Sequence, residues 1–117
     1  MASPIDPTLA KSLIKEFQTQ NSSESGPGLT TPDGSFIHGY FIDRKSLETI
    51  LSDPKIEGIS VEYAKHPDFA GQPGNVFTII IVGAITNTDP AAATQYKSSG
   101  EYFDQMPPCP PYCSSLE

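Results

Sequence analysis

Cys109 and Cys113 bracket Pro110, Pro111 and Tyr112 in PPCPPYC, and these are the residues whose types and spacing could do chemistry in this chain. Two thiols so placed can pair as a disulfide, supply half of a tetrahedral metal site, stay free on a flexible terminus, or flank an extended Pro-rich segment that docks into a groove. A disulfide needs its Cα atoms within roughly 7 Å, whereas polyproline geometry holds residues four apart at roughly 12 Å. Pairing therefore requires a turn at the prolines, for which a cis bond is one route. A metal site would have to recruit His38 and His66, the only imidazoles in the chain, and nothing in their spacing draws them to the cysteines. Thioredoxin-type catalysis needs a low-pKa thiolate, usually in CxxC at a helix N-terminus, and both the spacing and the prolines oppose it. The favoured reading is a recognition tail in which Cys109, Pro110, Pro111, Tyr112 and Cys113 contact a partner at little ordering cost. Free thiols, a disulfide or redox pair, and a metal pair follow in that order.

The other polar candidates are weaker. His38 lies between Ile37 and Gly39 with no Ser or Cys nearby in sequence, and His66 precedes Pro67 at the end of an expected strand, so both read as structural or solvated. Asp53, Glu57, Glu62 and Asp68 are scattered over turns and a wet strand face, as solubility requires, and form no pair for acid–base work. Gly26 and Gly28 lie in a polar linker, without the strand and helix that a phosphate-binding loop needs. No catalytic residue, metal ligand set or cofactor is assigned, and the expectation is a protein that is not an enzyme.

The elements that must position the tail are few. A chain of 117 residues has room for one core. With 37% hydrophobic residues and 12 prolines lying mostly outside the centre, it should form a compact middle with irregular arms. Fourteen acidic against seven basic side chains give a net charge of −7, which disfavours nucleic acid and anionic lipid as partners. No apolar run is long enough to span a membrane and no signal region follows the N-terminus, so the expected location is cytoplasmic, or extracellular by a route without a signal peptide. MAS at the start and LE at the end read as cloning remnants and are set aside.

Along the chain, Asp6-Pro7 starts a helix whose Leu9, Leu13, Ile14 and Phe17 form one apolar stripe, expected to pack on the domain's own sheet. Residues 21–34, NSSESGPGLTTPDG, read as a mobile linker or loop. SFIHGYF suggests a short strand interrupted at Gly39, and Asp43 caps a second helix that ends before Pro54. ISVEYAKH alternates as a half-buried strand, and the loop PDFAGQPG joins it to residues 75–85, NVFTIIIVGAI, as an antiparallel hairpin. That second strand is apolar on both faces and is the expected centre of the fold. Phe77, Ile79, Ile81 and Ile85 point one way, and Val76, Ile80, Val82 and Ala84 the other. If one face takes the helices, the other needs the first strand, the C-terminal arm or a second copy, so Val76, Ile80 and Val82 are the expected oligomer interface. A homo-oligomer and a monomer stay open as alternatives. Residues 88–108 show little periodicity and read as an arm touching the core through Tyr96, Tyr102 and Phe103.

In KSLETIL, GISVEY, IIIVGA and CPPYC the chain resembles a set of small bacterial proteins with a near-C-terminal Cys-Pro-Pro-x-Cys motif. The resemblance is carried mainly by CPPYC. It implies a shared fold and a functional tail, and no particular reaction. The expectation is thus a single α+β domain over residues 4–104, two helices on a small antiparallel sheet of two or three strands, followed by a Pro/Cys-rich tail over 105–115. Its expected role is a small interaction or self-assembly module that contacts a protein partner or copies of itself. The alternative is a thiol-based redox or metal-binding protein acting through Cys109 and Cys113.

Overall fold

In a computed structural model, which describes residues 2–104 and 106–113, the chain forms an α+β fold of two helices and two small antiparallel sheets. Positions 105, 114 and 115 of the expected tail lie outside the described residues. Helix α1 spans Pro7–Ser22, with the Asp6 carboxylate accepting from Thr8 N–H at 2.9 Å and proline in the first turn, where its missing donor costs nothing. Helix α2 spans Arg44–Leu51, and Asp43 accepts from both the N–H and the hydroxyl of Ser46, at 3.0 and 2.6 Å.

The centre is the expected hairpin. Strand β2 (Gly58–Lys65) pairs antiparallel with β3 (Phe77–Thr86), setting Val61 opposite Ile81 and Tyr63 opposite Ile79. The connection holds a single 3₁₀ turn, Pro67–Phe69, in which His66 Nδ1 accepts from Asp68 N–H at 3.2 Å. On the other side of β3 lies β4 (Tyr96–Phe103), giving the order β2-β3-β4. Residues 96–103 are therefore a strand and not the irregular arm expected. YKSSGEYF conceals its strand character because it is an edge strand, half-buried only at Tyr96 and Phe103 and exposed between them. Its register breaks opposite Gly83, between Val82 and Ala84, where Gly100 adopts a left-handed φ of +96°.

One face of β3 carries the core: Ile79 and Ile81 pack with Ile50 of α2 and with Met106 of the C-terminal segment, and Ile42, Ile56, Ile59 and Phe103 close around them. A Cβ on Gly83 would stand 2.5 Å from Ile56 Cδ1 and 3.3 Å from Ile50 Cγ2, so the absence of a side chain there is what lets α2 approach. With that face occupied by α2 and Met106, the stripe on α1 does not pack on the sheet as expected. Leu9, Leu13, Ile14 and Phe17 remain 40–52% exposed.

What holds α1 is its last turn. Asn21 is fully buried; its amide donates to the carbonyls of Leu29 and Ile37 at 3.0 and 3.2 Å, and its Oδ1 accepts from Leu29 N–H at 2.7 Å. Of residues 21–34, expected as a mobile linker, Asn21 and Ser22 complete α1, and the loop that follows is tied down further by Asn75, whose side chain donates to Pro27 O at 3.0 Å, and by single bridges from Thr30 to Phe36 and Val76. Asp33 in this loop accepts from the Thr31 hydroxyl and from Ser35 N–H, which holds its carboxyl below the usual carboxylate value.

Candidate binding surface and cysteine site

The C-terminal segment is woven into the fold. Strand β1 (Gly39–Tyr40) pairs antiparallel with β5 (Pro108–Cys109), Gly39 opposite Cys109 and Tyr40 opposite Pro108. His38 N–H donates to Cys109 O at 2.6 Å and Phe41 N–H to Pro107 O at 2.8 Å, extending the ladder at both ends. This pairing explains why SFIHGYF reads as a strand although only two of its residues form one: its partner lies about 70 residues away and is itself only two residues long.

Beyond β5 the chain reverses. Cys109 and Cys113 are joined by a disulfide across a Cα separation of 4.8 Å, with Cys109–Pro110 and Pro110–Pro111 both cis and Tyr112 N–H donating to Pro108 O at 3.1 Å. Of the four states weighed for the pair, the disulfide is the one present, and the intervening residues form a closed turn where an extended polyproline segment was favoured. Tyr112, 57% exposed, stacks on Phe41 with ring centroids 6.4 Å apart.

The same ladder delivers a histidine. The ligating atoms of His38, Cys109 and Cys113 all lie within 4.8 Å of one another, the one such group of three His, Cys, Asp or Glu side chains among the described residues. Sequence spacing gave no reason to bring His38 to the cysteines; the β1–β5 register does so. His66 is elsewhere, edge-on to Phe69 at 5.8 Å. Next to His38, Tyr40 points inward and donates to Phe77 O at 2.7 Å. Burial, with a smaller electrostatic contribution from Tyr63, pushes its phenol above the usual value.

Two hollows meet along this edge and share His38, Gly39 and Tyr40. The first, about 460 Å³, runs from Phe17 of α1 past Leu29 to Val61, Tyr63 and Ile79 of the sheet. The second, about 480 Å³, runs from Ile14 to Phe41, Tyr112 and the disulfide. The stripe on α1 thus borders both, and the exposed apolar side chains of helix, sheet and tail form one surface. The three sheet residues expected at an oligomer interface are placed differently from one another. Val82 is buried within the chain, 3% exposed, whereas Val76 and Ile80 are half-buried. The large apolar sheet residues that do face solvent are Val61 and Tyr63 on β2, at 48% and 88%, and Tyr102 on β4, at 60%. Sequence reasoning passed over the two on β2 because alternation placed them on the side facing the core. That side is indeed the core face, but on β2 its cover takes in Ile59 and leaves Val61 and Tyr63 open.

Compared with protein-family models, with curated proteins and with solved structures, the chain matches none. Among the described residues no helix is long and apolar enough to cross a membrane.

Proposed function

We propose that this protein is a small non-enzymatic assembly module that pairs with a second copy of itself through the surface formed by α1, Val61, Tyr63 and the disulfide-closed tail. The observation that carries this reading is the stripe on α1, four large apolar side chains about half exposed on a helix of 16 residues. A free amphipathic helix beside an open apolar groove is the arrangement that helix-in-groove recognition uses, and helix and groove on one edge of one chain are self-complementary under a two-fold axis. Charge points the same way. Within Pro7–Ser22, Lys11 and Lys15 outnumber Glu16, whereas the whole chain carries −7, so the helix is the part best suited to approach another copy.

Magnitudes make the dimer weak. Covering the exposed halves of the four stripe residues in both copies is worth roughly 6–12 kcal/mol at ~1.5–3 kcal/mol for a fully buried large apolar side chain. Association costs about 4–15 kcal/mol, so the surplus is at most about 8 kcal/mol and the dissociation constant is no tighter than about micromolar. Sedimentation equilibrium up to several hundred micromolar tests this. The wild type should self-associate, and Leu13→Glu, which alters a half-exposed side chain outside the core, should leave a folded monomer. A wild type that stays monomeric throughout, or a variant that associates equally, overturns the proposal. The rival class, a thiol-based redox or metal-binding protein, is favoured by one observation, the position of His38 beside both sulfurs.

A further inference from the structure

We propose that opening the Cys109–Cys113 disulfide converts the tail into a zinc site in which Cys109, Cys113 and His38 are the three protein ligands. The donor set is the first ground. Two thiolates and an imidazole suit Zn²⁺, and three protein ligands leave one tetrahedral position for water. In such a site the ligand atoms lie roughly 3.5–3.8 Å apart, given Zn–S near 2.3 Å and Zn–N near 2.0 Å. The three ligand atoms already lie within 4.8 Å of one another; once the disulfide opens, the two sulfurs have to move apart to that spacing and the imidazole to close on them.

The scaffold is the second ground. Register between His38 and Cys109 is fixed by backbone groups, His38 N–H on Cys109 O and the Gly39–Cys109 pair, and the turn back to Cys113 is closed by Tyr112 N–H on Pro108 O. None of these bonds uses sulfur, so the frame persists when the disulfide opens. Access is the third. His38 and Cys113 are exposed and Cys109 is half-buried, so an ion can enter from solvent.

The steps balance. A dithiol reductant delivers two electrons and two protons, the S–S bond breaks, the reductant leaves as its own disulfide, and Cys109 and Cys113 become thiols. Zinc then displaces one proton from each thiol and takes a lone pair from neutral His38, so two protons are released per ion and the two thiolate charges cancel that of the metal. The oxidised tail, with both sulfurs in a covalent bond, offers only His38. The site is thereby conditional on redox state.

Cobalt(II) is the probe, since thiolate coordination gives it charge-transfer and tetrahedral d–d bands that zinc lacks. The full-length protein is reduced with a phosphine, freed of metal, titrated with Co²⁺ under anaerobic conditions and then with Zn²⁺. The reduced wild type should bind one Co²⁺ with thiolate bands that Zn²⁺ abolishes, and the oxidised protein should show neither. His38→Ala, a change at an exposed side chain whose fold is checked by circular dichroism, should lower the affinity at least about 10-fold, the minimum cost of disturbing a ligand sphere. His66→Ala should leave it unchanged. Absence of the bands in the reduced wild type, equal binding by the oxidised form, or a His38→Ala protein with wild-type affinity and spectrum would each overturn the proposal.

Discussion

Asn21→Leu isolates what fastens α1 to the body. Leucine shares asparagine's branching and heavy-atom count and is the bulkier of the two, so no cavity opens, but three hydrogen bonds disappear: two donated to Leu29 O and Ile37 O, one accepted from Leu29 N–H. Leu29 O keeps the bond from Ile37 N–H at 2.9 Å, so the orphans are the Leu29 amide and the Ile37 carbonyl, both now facing an apolar side chain. Net hydrogen bonds are worth about 0.5–1.5 kcal/mol each and an unsatisfied buried donor costs about 1–3 kcal/mol, which places the loss at about 2–4 kcal/mol. Urea unfolding followed by far-UV circular dichroism reads that loss directly. Hydrogen exchange reads its location, because the Leu29 amide should lose protection more than the amides of β3. A destabilisation within about 0.5 kcal/mol, the range of inconsequential surface changes, or an unaltered Leu29 amide would refute the reasoning. Since α1 makes its buried contact here, the same variant should also weaken the proposed dimer.

Two further outcomes follow from local geometry. Gly83→Ala should destabilise by about 1–3 kcal/mol through overpacking against Ile56 and Ile50, and adding Ile56→Val should recover part of the loss in the same urea assay. Asp43, whose carboxyl is held low first by the Ser46 hydroxyl and then by Ser46 N–H, has a folded pKa below its unfolded value of 3.8. Its contribution is therefore present above pH 3.8 and lost as pH falls through the lower folded value, so Asp43→Asn should flatten the acid limb of a stability–pH profile and leave the neutral-to-alkaline limb in place.

Most of the fold was legible where a pattern is local. Asp6-Pro7 and Asp43 mark helix starts through donors within three residues, and the alternation of β2 against the doubly apolar β3 identifies a hairpin without further help. Legibility failed where a neighbour decides. Residues 96–103 form a strand because β3 offers an open edge, while their own composition, polar and containing a glycine at positive φ, argues for a loop. The stripe on α1 is helical as its spacing says. Spacing carries no information about whether Met106, far along the chain, has already taken the place on the sheet that the stripe would fill.

The cysteine site is the sharpest case of the same limit. Motif reasoning weighs ligands by their separation in sequence, and His38 lies 71 positions before Cys109, too far for any spacing rule. What unites them is a ladder of two residues, itself permitted because Gly39 and the segment from Met106 to Cys109 run side by side along the edge of the core. The same ladder carries Tyr112 to Phe41 and so joins the tail to the apolar surface bordered by α1. The surface proposed for docking and the cysteine pair proposed for metal binding, which compete as readings of CPPYC in isolation, therefore lie on one scaffold in the folded chain. In the proposed zinc site, opening the disulfide would free the two sulfurs to close around an ion near Phe41 while the backbone frame of the turn stays in place. If both proposals hold, the redox state of Cys109 and Cys113 would bear on the tail's part in the proposed dimer surface while leaving the Ile79–Ile81 core in place.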